Sequence, residues 1–105
     1  MKFKIKTDEV KKASRQTKLK IEDSITLNLG EMCACPIGTL YFKAKKCKFD
    51  NLGNLWSWAN KKFGQDYVSG FVGAFDGREL INDLTSKQYK LGHYNGKVLR
   101  KSLLK

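Results

Sequence analysis

No run of apolar residues in this 105-residue sequence approaches the ~20 residues with which a helix crosses a bilayer. The opening stretch, MKFKIKTDEV, also lacks the apolar centre of a signal peptide. We therefore expect a soluble, cytoplasmic protein that is not exported. The hydrophobic fraction of 41% is too high for a disordered chain. Because the length suits one domain, residues 1–105 are predicted to form a single domain.

Acidic residues are absent after Asp83 and from the stretch 32–49. Over the whole chain, 21 Lys and Arg residues oppose ten Asp and Glu, which gives a formal net charge of +11. Such a charge favours polyanions, anionic membrane surfaces or an acidic protein as partners. Of these we expect no membrane binding, because the amphipathic stretch NLWSWANKKF carries only two lysines. Only three of the basic residues are arginine. Because lysine does not read bases bidentately, the composition favours sequence-independent phosphate binding, or else a merely solvated surface.

Residues that carry chemistry are also few. Cys33, Cys35, Cys47 and His93 are of the types that form a tetrahedral zinc site, but their spacing is not that of a zinc knuckle. In a reducing compartment such thiols serve instead as small buried hydrophobic groups. No family signature surrounds a candidate nucleophile, and no glycine-rich phosphate loop is present. We expect no enzymatic activity, no metal and no cofactor.

Two segments carry helix signals. Near the N-terminus, Thr7 is a candidate cap followed by Asp8 and Glu9, yet the apolar face consists only of Val10 and Ala13, which predicts a weak helix. The segment at about 51–63 is a clear amphipathic helix between a candidate cap and a terminating glycine. Its apolar stripe comprises Leu52, Leu55, Trp56, Ala59 and Phe63.

Trp58 lies about 120° from the centre of that stripe, beside Lys61 and Lys62. A tryptophan flanked by cations suggests a residue that stacks on a base or anchors a partner. The alternative is that Trp58 packs beneath another element, so that the helix is buried on two sides.

The remaining segments alternate apolar and polar residues, a pattern typical of strands. Alternation occurs in 2–6, 19–29, 39–49 and 67–75, and Asn95-Gly96 between two alternating runs is a strong hairpin signal. The sequence therefore predicts an α+β domain. It would contain an antiparallel sheet of about five to six strands, the amphipathic helix at about 51–63 and the weaker N-terminal helix.

The predicted C-terminal hairpin would gather a basic face. With a two-residue turn at Asn95-Gly96, one face carries Lys90, Tyr94, Lys97 and Lys101. A tyrosine among lysines suits a phosphate backbone with a stacked base. The alternative is a solvated outer face on which Tyr94 supports its cross-strand neighbour.

Two functions follow from these features. The first is a small basic nucleic-acid-associated protein that binds DNA or RNA mainly through phosphate contacts. The second is a small viral or mobile-element-type interaction protein that inhibits or modulates a host protein or nucleoprotein complex, with Trp56 and Trp58 as candidate anchors. The candidate binding residues are Lys90, Tyr94, Lys97, Arg100, Lys101, Trp58, Lys61, Lys62, Lys43 and Lys45.

Overall fold

Helices dominate the computed structural model, which describes residues 3–23, 27–45, 52–79 and 86–104. Within these ranges the elements are α1 (Thr7–Thr17), β1 (Lys20–Ile21), β2 (Leu27–Asn28), β3 (Cys33–Ala34), α2 (Pro36–Lys45), α3 (Leu52–Phe63), α4 (Gln65–Phe75) and α5 (Lys87–Leu103). The protein is thus a mostly helical domain, and the predicted five- to six-stranded antiparallel sheet is wrong. No helix in these ranges is long and apolar enough to cross a membrane.

The three strands form a small mixed sheet in the order β1-β3-β2. The central strand, β3, runs parallel to β1 and antiparallel to β2. Its register pairs Cys33 with Lys20 and Asn28, and Ala34 with Ile21 and Leu27. Strands were therefore predicted correctly within 19–29, but β1 and β2 do not pair with each other as a hairpin, because β3 lies between them.

The two predicted helices are confirmed. α1 has Asp8 and Glu9 in its first turn and buries only Val10 and Ala13, although Lys6 and not Thr7 occupies the cap position. α3 begins at Leu52 and ends at Phe63. Its residues Leu55, Ala59 and Phe63 are buried in the core, at the spacing of one helical face.

Two segments predicted as strands, 67–75 and the described part of 39–49, are helices, while residues 46–49 lie outside the described ranges. Pro36 opens α2, a position where its missing N–H costs no hydrogen bond. α4 buries Tyr67, Phe71 and Phe75, which recur every four residues and so share one face of a helix. The spacing of apolar residues in short runs is compatible with both a strand and a helix. In these two segments, tertiary packing stabilises the helix.

The predicted C-terminal hairpin is instead one helix, α5, of 17 residues. Ser86 caps it, since its hydroxyl accepts a hydrogen bond from the backbone N–H of Tyr89 at 3.4 Å. Asn95 and Gly96 lie inside this helix and are buried. The buried face comprises Tyr89, Gly92, His93, Asn95, Gly96 and Leu99.

Glycines allow α4 and α5 to approach each other closely. A Cβ atom on Gly70 would lie 2.8 Å from the backbone nitrogen of His93, and one on Gly96 would lie 2.9 Å from the Cβ of Ala74. Real Cβ atoms do not occupy such positions, so the observed separation of the two backbones requires glycine. Gly96, part of the predicted hairpin turn, therefore serves a helix–helix contact.

The segment that precedes α1 is bonded to side chains of α4 and α5. Ile5 exchanges hydrogen bonds with the side chain of Asn95, and the backbone N–H of Lys4 donates to the hydroxyl of Tyr67 at 3.0 Å. The strand predicted over 2–6 is therefore wrong for its described part, residues 3–6. Ile5 itself is fully buried, as its apolar character indicates.

Candidate nucleic-acid interface

Four of the predicted site residues share one face of α5. Lys90, Tyr94, Lys97 and Lys101 are spaced by four, three and four residues, which places them within about 60° of one another around the helix axis. All four are exposed. We call this set the α5 stripe. The structure thus keeps together the residues that the sequence grouped, although on a helix and not on a hairpin.

The lysines of the α5 stripe carry uncompensated charge. The sequence of α5 contains no acidic residue. The ion pairs found among the described residues join Lys20 to Glu22, Arg78 to Asp76 and Arg100 to Asp23, so none involves the stripe. Three positive charges on one helix face therefore point to solvent, where they attract anionic ligands.

Tyr94 is the exposed aromatic residue of the stripe. It retains 52% of its accessible surface. Its ring contacts that of Phe3, with the centroids 5.5 Å apart and the planes inclined by 55°. Phe3 therefore supports the tyrosine ring and leaves about half of it available to a ligand.

A cleft of about 1090 Å³ adjoins the stripe. It lies between the turn that follows α4 and the C-terminal half of α5, and its lining includes Arg78, Glu79, His93, Tyr94, Lys97 and Lys101. The Nε2 atom of His93 is 3.1 Å from the carbonyl oxygen of Arg78, which ties this turn to α5. Among the described residues that line the cleft, cationic side chains outnumber the one carboxylate, that of Glu79, so the cleft favours an anion.

Arg78 is a candidate site residue that the sequence analysis missed. Its side chain is 67% exposed, and its Nη2 atom is 3.3 Å from the Oδ2 atom of Asp76. A guanidinium in an open cleft can form two parallel hydrogen bonds to a phosphate. No local pattern marks Arg78, because only the fold brings residue 78 beside the stripe on α5.

Arg100, also a predicted site residue, points about 90° away from the stripe. Its Nη1 atom donates to the Oδ2 atom of Asp23 at 2.8 Å and to the carbonyl oxygen of Phe75. These contacts connect α5 to the end of α4 and to the segment after β1. The guanidinium therefore clamps three parts of the chain together.

Trp58, a residue of α3, is half-buried and packs against α2. Its ring meets that of Tyr41 edge-on at 5.5 Å and that of Phe63 at 5.9 Å between centroids. The Nζ atom of Lys62 lies 5.1 Å from the centroid of Trp58, a cation–π contact. This tryptophan thus packs against a neighbouring helix, α2, and its role in partner binding stays a prediction.

The other predicted lysines form a second basic set. Lys43 and Lys45 lie in the last turn of α2, and Lys61 and Lys62 lie in the last turn of α3. All four are exposed, and lysines at these positions also suit the helix dipole. Throughout the described ranges, no hydrogen bond, ion pair or ring contact links them to the α5 stripe.

The cysteines described are buried thiols. Cys33 and Cys35 form no disulfide, and burial raises the pKa of the Cys35 thiol to about 11. Cys47 lies outside the described residues. Among those that are described, no cluster of three or more His, Cys, Asp or Glu side chains could hold a metal ion.

Comparisons with known proteins identify no relative. No family model matches the chain, and neither a curated protein nor a solved structure is significantly similar to it. Function must therefore be inferred from the α5 stripe and the cleft beside it.

Proposed function

We propose that this protein binds nucleic acid through phosphate contacts that depend little on base sequence. The observation that carries the proposal is the α5 stripe, in which Lys90, Lys97 and Lys101 are exposed and aligned around Tyr94, with no ion pair to another described residue. Neutralisation of phosphates by such lysines releases condensed counterions, which drives binding.

The dimensions of the stripe suit a polyanion. From Lys90 to Lys101 it extends about 16 Å along the axis of α5. At about 3.4 Å per nucleotide, this length corresponds to about five phosphates of one duplex strand. A row of cations therefore meets a row of anions of similar length.

The side chains available explain why we propose weak sequence dependence. Bidentate recognition of bases in the grooves relies mostly on Arg, Asn and Gln, whereas the stripe presents lysines. Lysine contacts phosphate as a point charge and accepts many geometries. Affinity without much base discrimination is the expected result.

A second candidate function is supported by the same exposed tyrosine. An aromatic residue ringed by cations is also typical of a hot spot that binds an acidic protein. The protein would then act as a small inhibitor or modulator, of the viral or mobile-element type, that docks on a host protein or nucleoprotein complex.

The buried thiols favour a reducing setting for either function. Cys33 and Cys35 form no disulfide, and Cys35 belongs to the hydrophobic core. Cytoplasmic proteins keep their cysteines in this form. We therefore assign the binding activity to the cytoplasm.

Binding of nucleic acid by the purified protein alone distinguishes the two candidates. Fluorescence anisotropy of a labelled oligonucleotide should show saturable binding that weakens by more than about tenfold between about 50 and about 200 mM salt. Absence of binding at the lower salt concentration would exclude the first candidate and leave the protein-binding one.

A further inference from the structure

We propose that the α5 stripe and its cleft select single-stranded nucleic acid, with an unpaired base stacked on Tyr94 and an adjacent phosphate bound at Arg78. This inference rests on the proposed function and adds the form of the ligand. Three observations carry it: the exposure of Tyr94, the contacts that fix its ring, and the concave basic cleft beside it.

Tyr94 lies within the lysine row, where a bound backbone would pass. Lys90 precedes it by one turn of α5, and Lys97 follows it by nearly one turn. The residue is 52% exposed, which leaves room for a planar ligand beside its side chain. Bases inside a duplex are already stacked on each other, and only an unpaired base can lie against this ring.

The ring of Tyr94 is held in place before any ligand arrives. Phe3 contacts it at 5.5 Å between centroids. The next two residues, Lys4 and Ile5, bond through their backbone N–H groups to the side chains of Tyr67 and Asn95. A platform that is already ordered loses little conformational entropy on binding, which favours affinity.

The cleft next to Tyr94 has the size and charge for one nucleotide. Its volume of about 1090 Å³ slightly exceeds the range of ~300–1,000 Å³ for small-molecule sites, so one nucleotide has room to enter. Arg78, Lys97 and Lys101 line it, against one carboxylate, that of Glu79. The side chain of Arg78 is 67% exposed, so its guanidinium can turn from Asp76 towards a phosphate.

A rigid duplex uses these features poorly. It could lie across the lysines of the stripe, but its bases would not reach Tyr94, and its width would keep it outside the cleft. The stacking and cleft contacts are therefore available to a single strand alone. If the lysines bound the ligand without any contribution from Tyr94, single-stranded and duplex nucleic acid would bind with equal affinity.

The test compares a labelled oligothymidylate with a labelled duplex of equal length, by anisotropy at one salt concentration. We expect the protein to bind the single strand more tightly. Tyr94→Ala should weaken single-strand binding by about 5- to 100-fold, in line with the loss of one stacked base, and should change duplex binding less than about twofold. Tyr94→Phe should retain single-strand affinity.

Other results separate this inference from the proposed function. A preference for duplex, or an equal effect of Tyr94→Ala on both ligands, overturns the inference while phosphate binding stands. Failure of both ligands to bind overturns both proposals. Circular dichroism melting of each variant establishes that the exposed substitutions leave the fold intact.

Discussion

The side-chain amide of Asn95 bonds to both backbone groups of Ile5, 90 residues away in the sequence. Its Nδ2 atom donates to the Ile5 carbonyl oxygen at 2.8 Å, and its Oδ1 atom accepts from the Ile5 N–H at 3.2 Å. The same Oδ1 atom accepts from the hydroxyl of Tyr67. One buried amide thus joins the N-terminal segment, α4 and α5.

Asn95→Ala should lower the free energy of unfolding by about 3 kcal/mol, because it removes the partner of the Ile5 N–H, that of the Ile5 carbonyl and the acceptor of the Tyr67 hydroxyl proton. Urea unfolding followed by circular dichroism measures this. Gln88→Ala, at an exposed position of the same helix, is the control and should change stability by less than about 0.5 kcal/mol. Equal stability of the two variants would contradict the account of the amide.

Two glycines of α4 should respond in opposite ways to alanine. A Cβ atom on Gly70 would collide with the backbone of α5, so Gly70→Ala should destabilise the protein by more than about 2 kcal/mol. Gly73 has no atom within 4 Å of an added Cβ, and Gly73→Ala should stabilise the helix by up to about 1 kcal/mol. The melting temperatures of the two variants test this prediction. A stabilised Gly70→Ala variant would show that α4 and α5 are not in close contact.

Substitution of Arg100 should lower stability, whereas substitution of Arg78 should lower nucleic-acid affinity. Arg100→Gln removes the bonds to Asp23 and to the Phe75 carbonyl, and we expect a loss of about 1–2 kcal/mol of stability. Arg78→Gln should cost less than about 0.5 kcal/mol, since its side chain is 67% exposed. Affinity for a single-stranded oligonucleotide should fall at Arg78→Gln, and unchanged affinity there would remove Arg78 from the site.

Cys35 should make stability depend on alkaline pH. Burial raises its pKa from 9.0 to about 11, so the folded state disfavours the thiolate. The resulting contribution to stability is fully present below pH 9.0 and is lost as the pH rises through about 11. Between these pH values, the free energy of unfolding measured with urea should decline less for Cys35→Ala than for the wild type. Identical declines would show that Cys35 does not cause the loss of stability.

The helices that the sequence predicts correctly have signals of their own. Asp8 and Glu9 stabilise the start of α1, and Leu55, Ala59 and Phe63 define one face of α3 without reference to any partner. α5 has no such independence. Its Asn95-Gly96 pair is a turn signal locally, whereas in the fold Asn95 bonds to Ile5 and Tyr67, and Gly96 packs closely against α4.

Some residues of the candidate site could likewise be predicted from local sequence, and others could not. Lys90, Tyr94, Lys97 and Lys101 share a face in both the predicted hairpin and the observed helix, so their grouping did not depend on the correct fold. Arg78 and Arg100 owe their roles to contacts across the fold. Asp23, which bonds to Arg100, is 77 residues away in the sequence, a relation that no local pattern reveals.

The measurement that tests the central claim most directly is the salt dependence of nucleic-acid affinity for two matched double variants. Lys97→Ala/Lys101→Ala removes two charges from the α5 stripe, and Lys11→Ala/Lys12→Ala removes two exposed charges from α1. The α5 double variant should reduce the magnitude of the negative slope of log binding constant against log salt concentration. We expect a reduction of about 1.4 for a single strand, or about 1.8 for a duplex. The second should leave the slope close to that of the wild type. Equal slopes for the two variants, or no binding by the wild type, would contradict the assignment of α5 as the nucleic-acid-binding surface.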